Sequence, residues 1–498
     1  MAGVSGARRL CSPDDVATDV RRPAYDPAGH RSGIVHLGIG AFHRAHQAVY
    51  TDGALAEAGG NWRITGVSLR GTAAAEALNP QNGLYTLIER GETGARARLI
   101  ASVDRVIAAS RDRAAVLAAM TDPAVRIVSL TVTEKAYGID HAAATVDTRH
   151  QAVAADLANP HAPTGVLGLL VETLRLRHAA GVAPFTVLCC DNLPDNGALL
   201  QTGVIDFAKR VNPGFASWIA ANVAFPATMV DRITPAPTSR TLSEAVRLIG
   251  CEDHAAVETE PFTQWVIEDR FPAGRPTWEA GGAIFVADVA PYERMKLRML
   301  NGTHSMLAYA GFLSGRAYVR DVMADPALAA LVERHLKAAA ATLPPLDGLD
   351  LAEYAVQLAR RFRNPAIAHE TCQIAMDGTE KIPQRIMQPA MHALKKGQDI
   401  RPFAFAAASW MRYCLGRTDG GAAYDLCDPR ERQIAARLAG TGGDAVAIAE
   451  ALHGLPDVFP GALVTSASWR RAVDSSLAVM LERGMARAIL IEAEALRR

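Results

Sequence analysis

Hydrophobic positions fall into two textures along the chain: short apolar runs up to about Asp288, and longer helical periodicities after it. The run IVHLGIG at 34–40 is closed by Gly38 and Gly40, which predicts a buried strand ending in a tight turn. Apolar spacing at Phe42, Ala45, Val49 and Ala54 predicts a helix to about Ala58, and WRITGVSLR at 62–70 predicts a second strand. Strand, glycine turn, helix, strand is a βαβ unit. ARLIASV (97–103), VRIVSLTV (125–132) and FTVLCCD (185–191) predict further strands, with helical stretches at 112–121 and 164–178 between them. Such alternation predicts an α/β fold, a mainly parallel, doubly wound sheet with helices on both faces. Past Asp288 strand-like runs largely disappear, and Pro291 suits the first turn of a helix running to about Phe312. The expected division is therefore an α/β domain over 1–290 and a mainly helical domain over 291–498. No internal repeat or low-complexity linker is visible, so close packing of the two halves is expected.

Composition narrows the function classes. The 52 Lys plus Arg balance 52 Asp plus Glu, and 49% of residues are hydrophobic. Neutral charge is the wrong electrostatic footprint for a general nucleic-acid binder, and disorder would need far fewer apolar residues. The seven cysteines are odd in number and scattered, with Cys189 and Cys190 adjacent, a pattern of reduced thiols in a cytoplasmic protein. Arg8 and Arg9 are followed by CSPDDVATDVRR, which offers no apolar stretch for a signal peptide. The run FAFAAASWM at 403–411 is about half the roughly 20 residues of a membrane helix. A soluble, cytoplasmic protein with no membrane partner is expected.

Gly38 and Gly40 fit the first two positions of a G-x-G-x-x-G dinucleotide turn, where glycine permits close approach of a pyrophosphate. The third position is His43, and the acid usual at the end of the second strand is replaced by Ser68-Leu69-Arg70. Arg70 could hold the 2'-phosphate of NADP, cap the strand or stack on adenine, so the motif leaves NAD and NADP both open. An ordinary strand-to-helix turn is the plain alternative. His36, His43 and His46 lack a Cys or carboxylate to complete a ligand set, which favours hydrogen-bonded histidines over a metal site.

The stretch PYERMKLRMLNGTHSMLAYAGF at 291–312 holds the most chemistry. On a regular helix Lys296 and His304 would lie about 80° apart and roughly 12 Å along the axis, with Asn301 and His304 neighbours. A base, an amide donor and an imidazole are what proton abstraction from an alcohol, coupled to hydride loss, requires. The lysine would need its pKa depressed from about 10.4. Spacing alone equally allows a surface lysine, a polar core asparagine and a satisfied histidine. Tyr292 and Lys296 also form Y-x-x-x-K, but the glycine pattern of short-chain dehydrogenases is absent and the tyrosine is read as packing. Glu293, beside Lys296 on the helix, could relay protons or simply complement the helix dipole. No Cys/His set has zinc spacing, so hydride chemistry would be metal-free.

Taken together, these segments resemble the polyol-specific long-chain dehydrogenases and reductases, the mannitol dehydrogenase family that also contains fructuronate and tagaturonate reductases. The resemblance covers nearly the whole chain through GIGAFHRAHQAVYTD (38–52), SLTVTEK (129–135), CDNLPDNG (190–197), MVDRITP (229–235), QWVIEDRF (264–271), K-x4-N-x2-H (296–304), RFRNPAI (361–367) and DGTEKIPQR (377–385). It implies a Rossmann-like NAD-binding domain with Gly38, Gly40, Phe42, His43, Arg44 and Arg70 at the cofactor. It further implies Lys296 as general base, Asn192 and Asn301 as donors to the developing alkoxide, and His304 as the group orienting the substrate. Asn192 also lies just past the strand FTVLCCD, where ligands bind in an open α/β sheet. Asp231 looks like a pocket residue, with an ion pair to Arg232 or another cation as its alternative.

Within the family, NGTHS (301–305), QIAMDGTEKIPQR (373–385) and WMRY (410–413) are most similar to D-fructuronate reductases, also called D-mannonate oxidoreductases. The implied activity is NAD-dependent interconversion of D-mannonate and D-fructuronate, with D-mannitol to D-fructose as the alternative. A catalytically inactive nucleotide-binding sensor is disfavoured by the intact Lys296, Asn301 and His304. A sugar acid needs cations, for which Arg363, His369, Lys381 and Arg385 are candidates; Lys381 leads because it lies in DG-x-x-K-I-P. Monomers, common in the family, are expected.

Overall fold

The computed structural model describes residues 8–92, 94–140, 145–366 and 369–497, so Ile367 of RFRNPAI lies outside the described residues. The chain forms two compact units, Met1–Ala290 and Pro291–Arg498.

In the first unit five parallel strands lie in the order Val103–Ala108, Arg63–Ser68, Ser32–Leu37, Ile127–Leu130, Thr186–Cys189. By chain position this is 3-2-1-4-5, the order of a doubly wound dinucleotide-binding sheet. Ile34, Val35 and Leu37 of the central strand are fully buried, because helices cover both faces; that is why its apolar run is continuous rather than alternating. Val35 and Leu37 join Val128 and Leu130 in a core closed by the helices Val166–Ala179 and Asn196–Val211. Ile34 points the other way, toward Ile64, Val103, Leu55, Trp265 and Trp278. Sheet order reverses between Ser32–Leu37 and Ile127–Leu130, where Leu37 pairs with Leu130. The carboxyl ends of these two strands therefore flank the crevice where ligands bind in such sheets.

Two sequence-based expectations need correction here. The run 97–103 is not one strand of the parallel sheet: Gly94–Ile100 pairs antiparallel with Tyr85–Gly91, and a separate parallel strand starts at Val103. The chain crosses between sheets at Ala101 and Ser102, pinned by Ala101 N–H donating to Asp52 Oδ1 (3.0 Å) and the Ser102 hydroxyl donating to the Ala48 carbonyl (2.7 Å). Asp104 and Arg105 disguised the strand that follows, since Asp104 is satisfied sideways by Arg63 (2.7 Å) and Ser32 (3.1 Å). The helix expected from Phe42 is broken into Ala41–Ala45 and Gln47–Ala58 by His46, at φ −122° and ψ −95°. By contrast Arg113–Thr121 and Val166–Ala179 form where helical spacing predicted them, the first capped by Asp112 accepting from Ala115 N–H at 2.8 Å.

The second unit is helical, with no strand among the described residues. Its centre is the helix Arg401–Tyr413, in which every residue after Arg401 is buried. FAFAAASWM is thus a core helix packed on all sides, chiefly by Gly302–Leu313 and Ala467–Arg483. No helix among the described residues is long and apolar enough to cross a membrane.

Candidate active site

The glycine turn follows directly from the central strand. Gly38 has φ +93°, and a Cβ there would lie 2.2 Å from the Thr131 carbonyl oxygen, so only glycine fits. At Gly40 a Cβ would meet only the Gly38 carbonyl oxygen, at 3.8 Å; the missing side chain leaves an open cradle over the turn, which suits a pyrophosphate. His43, in the third position, is fully buried and stacked on His36 with ring centroids 3.5 Å apart. Burial, and then the nearby His36, Arg44 and His46, hold its pKa well below the ordinary histidine value. Phe42 stacks on His46 at 5.0 Å. Arg44 donates through Nη1 to the Ala255 carbonyl and through Nε to the Gly40 carbonyl at 3.3 Å, so its guanidinium braces the turn from behind. Arg70 is exposed just past Arg63–Ser68.

Asn192 is exposed on the loop after Thr186–Cys189. Its neighbours hold that loop in ways the sequence reading did not single out. The Asp191 carboxylate accepts from Val132 N–H (3.0 Å), Thr133 N–H (3.0 Å) and the Tyr137 hydroxyl (2.6 Å). The Asn196 side chain donates to the Asp191 carbonyl (3.0 Å) and exchanges hydrogen bonds with the Thr228 backbone (2.9 and 3.0 Å). The available signal was the doubled Asp-Asn in CDNLPDNG. Asp231 is buried at the end of Thr228–Asp231. Its neighbour Arg232 reaches Glu89 (2.7 Å), the Ala45 carbonyl (2.6 Å) and the Glu260 carbonyl (3.0 Å).

In the second unit the lysine helix is not regular. Ala290–Met295 is α-helical, Lys296–Asn301 is a π turn, and the α-helix resumes at Gly302–Leu313. The Gly302 amide donates to the carbonyl of Leu297, five residues back. This corrects the regular-helix geometry expected above. A π turn accommodates one extra residue, setting later positions back by about 100°, so Lys296 and His304 move from about 80° apart to within roughly 20° of one face. Lys296, Asn301 and His304 thus share a stripe. The π turn makes that stripe; spacing alone did not show it. Tyr292 is buried and donates its hydroxyl to the Asp347 carbonyl at 2.7 Å, which occupies it in packing. His304 is buried against Phe362 (4.6 Å) and the edge of His369 (5.3 Å). Burial first, then His369, Arg361 and Arg385, keep it neutral by driving its pKa well down. Its Nε2 has no hydrogen-bond partner among the described residues.

A second π turn, Pro383–Met387, packs against the first. The contact is close enough that a Cβ on Gly302 would lie 2.6 Å from the Arg385 carbonyl oxygen. The Arg385 side chain turns to the lysine helix and donates to Ser305 Oγ at 3.2 Å. No carboxylate lies within ion-pairing distance of it among the described residues, and burial lowers its pKa. Lys381 differs: it donates to the Met376 carbonyl (2.7 Å) and pairs with Asp377 (3.3 Å). Arg363 is engaged with Glu333 at 2.6 Å in an exposed pair, the solvated arrangement that was its alternative. His369 sits on the edge of His304, its Nδ1 without a partner among the described residues. No group of three His, Cys, Asp or Glu side chains suited to a metal occurs among the described residues.

A family model described as Mannitol dehydrogenase Rossmann domain matches residues 32–280, and one described as Mannitol dehydrogenase C-terminal domain matches residues 288–458. The chain belongs to the mannitol dehydrogenase family. It is therefore an oxidoreductase, and the expected Rossmann-like domain followed by a mainly helical one is the architecture found. A relative within the family, D-mannonate oxidoreductase of Escherichia coli strain K12, is 43% identical over 93% of this chain and 96% of its own length. Mannitol 2-dehydrogenase of Cereibacter sphaeroides is 42% identical over 82% of this chain and 86% of its own. Among solved family structures, mannitol 2-dehydrogenase of Pseudomonas fluorescens, in ternary complex with NAD and D-mannitol, matches with TM-score 0.81 and 35% identity, covering 98% of this chain and 99% of that one. A substrate-free D-sorbitol dehydrogenase matches with TM-score 0.89 and 34% identity, covering 97% and 100%.

Proposed function

We propose that this member of the mannitol dehydrogenase family interconverts D-mannonate and D-fructuronate, using NAD and no metal, with hydride transfer at C5 of mannonate. The observation that carries the choice of a sugar acid is Arg385, a largely buried guanidinium whose hydrogen-bond partner is a neutral serine and which makes no ion pair among the described residues, Asp377 acting on it only from beyond pairing distance. A cation in that state is best compensated by an anion from the substrate, and guanidinium suits a carboxylate bidentately. Lys381, already neutralised by Asp377, supports the same end of the substrate. The 43% identity to a D-mannonate oxidoreductase points the same way.

The first unit holds the cofactor in this reading: Gly38 and Gly40 form the pyrophosphate cradle, His43 and Arg44 brace it, and Phe42 and Arg70 border it. When bound, NAD supplies the hydride acceptor. Lys296 takes the alcohol proton in oxidation and returns it in reduction; Asn301 and Asn192 donate to the alkoxide, and neutral His304 orients the substrate through Nε2. No step asks for a metal, because a lysine base and amide donors handle both the proton and the oxyanion. Asp231 is assigned to the pocket. The enzyme is read as a cytoplasmic monomer.

The test is NADH oxidation by purified protein with D-fructuronate, D-tagaturonate and D-fructose in parallel. The expected result is highest kcat/KM for D-fructuronate. Highest efficiency with D-fructose would replace this function by that of a mannitol 2-dehydrogenase, and NADH binding without turnover would leave a sensor.

A further inference from the structure

A buried line of polar groups runs from the glycine turn across the reversal of the sheet. The Gly38 carbonyl accepts from Gly40 N–H (2.7 Å) and from the Thr131 hydroxyl (2.9 Å). Thr131 Oγ1 lies 2.8 Å from His36 Nε2, and His36 Nδ1 lies 2.8 Å from Ser129 Oγ. Ser129 Oγ in turn lies 2.8 Å from Gln47 Oε1. His36, Ser129 and Gln47 are all buried. Beside the line, Gln47 Nε2 and both ring nitrogens of His43 have no partner among the described residues.

Once the Thr131 hydroxyl proton is given to the Gly38 carbonyl, the direction of every other bond follows. The single Thr131 hydroxyl proton goes to the Gly38 carbonyl, so Thr131 Oγ1 must accept from His36 Nε2–H. A neutral imidazole has one N–H, so His36 Nδ1 accepts, and Ser129 must give it its only proton. Ser129 then has none left for Gln47, and an amide oxygen facing it would set two acceptors together. Turning the Gln47 amide over places Nε2 there as a donor and sends Oε1 toward His43, which removes the orphaned Gln47 nitrogen and supplies an acceptor for a His43 N–H. The reverse tautomer would take the Thr131 proton to His36 and leave the Thr131 oxygen facing the Gly38 carbonyl oxygen at 2.9 Å with no proton between them; a doubly protonated His36 would bury a cation with only hydroxyls, an amide and a second imidazole around it, which desolvation opposes, pushing the His36 pKa down to about 3.

We propose that His36, as its Nε2–H tautomer, is a positioning residue for the nucleotide cofactor, the middle member of a one-way chain Gln47, Ser129, His36, Thr131, Gly38. The chain ties together the carboxyl ends of Ser32–Leu37 and Ile127–Leu130, the two lips of the crevice. It also keeps the Gly38 carbonyl occupied inside the protein, so that its negative end is not presented to a pyrophosphate. This rests on reading Gly38–Gly40 as the cofactor turn.

The test compares NADH dissociation constants, measured by fluorescence titration, for wild type, Thr131→Val and Thr131→Ser. Thr131→Val keeps the shape and removes the donor; its Kd and its KM for NADH are expected to rise about tenfold, about 1.4 kcal/mol, with KM for the sugar substrate held. Thr131→Ser restores the hydroxyl and is expected within about twofold of wild type. Unchanged NADH binding in Thr131→Val, or equal losses in both variants, overturns the proposal. A wild-type protein that binds no NADH overturns the cofactor turn and the proposal together. If Thr131→Val does not fold, 15N NMR of histidine-labelled wild type decides: a protonated Nε2 and bare Nδ1 on His36 are expected, and the reverse tautomer or double protonation refutes it.

Discussion

Replacing Gly302 by Ala would test whether the contact of the two π turns sets the geometry of Lys296 and Asn301. The added Cβ would stand 2.6 Å from the Arg385 carbonyl oxygen, where ordinary contact begins at 3.4 Å. The carbonyl cannot swing aside alone, because it belongs to the helical backbone of Pro383–Met387. The turns must therefore part by about 0.4–0.8 Å to relieve the contact. Ala is favoured over Gly in a helix by about 1 kcal/mol, whereas overpacking costs about 1–3 kcal/mol. The expected net loss is about 1 kcal/mol, a fall in Tm of roughly 2–4 °C for a unit of this size. The effect on catalysis should be larger, since Asn301 is the adjacent residue and a misplacement near 1 Å costs about 100-fold. A drop in kcat/KM of about 10- to 100-fold is expected, read by NADH oxidation with D-fructuronate beside a thermal melt. A variant with wild-type Tm and kcat/KM would refute the idea that this contact positions the site.

Lys296→Ala is expected to abolish turnover while leaving NADH binding intact; near-wild-type activity would remove the lysine from the mechanism. Arg385→Leu should lower the ratio of kcat/KM for D-fructuronate to that for D-fructose by about 10- to 100-fold, as expected for losing a hydrogen bond to a charged group; an unchanged ratio would move the carboxylate elsewhere. Acid should destabilise the fold through its buried histidines. His36 and His335 are pushed down to about 3 by burial, against about 6.5 unfolded. The unfolded chain thus binds more protons between those values, and stability is complete above about pH 6.5 and lost as pH falls toward 3. Each ring withholds about 3 kcal/mol by pH 4.5, so urea midpoints should fall steeply from pH 6.5 to 4.5, and a flat profile would contradict the burial argument.

The strands Ser32–Leu37, Arg63–Ser68, Ile127–Leu130 and Thr186–Cys189 were legible because their runs are short, mostly apolar, free of charge inside and end at glycine or polar turns. Val103–Ala108 was not, since Asp104 and Arg105 interrupt its apolar pattern, Asp104 being satisfied by Arg63 and Ser32 on other strands and Arg105 being exposed, which no local pattern reveals. Lys296, Asn301 and His304 were visible as residue types in a motif, but their common face depends on a π turn, which leaves no mark in hydrophobic spacing. The same limit applies to the cations. Sequence could name Arg363, Lys381 and Arg385 together, but only the fold shows that Glu333 and Asp377 occupy the first two and that Arg385 has a serine.

The core helix Arg401–Tyr413 makes the residues that cover it indispensable to this unit. The matched C-terminal family region stops at residue 458, but Trp469, Val473, Leu477 and Met480 of the helix Ala467–Arg483, which lies against it, are fully buried. Four such side chains represent roughly 6–12 kcal/mol of burial, as much as the whole net stability of a typical domain. The helix Ala467–Arg483 is therefore part of the core of this unit, and a chain cut back to residue 458 would lay bare one side of the buried helix Arg401–Tyr413.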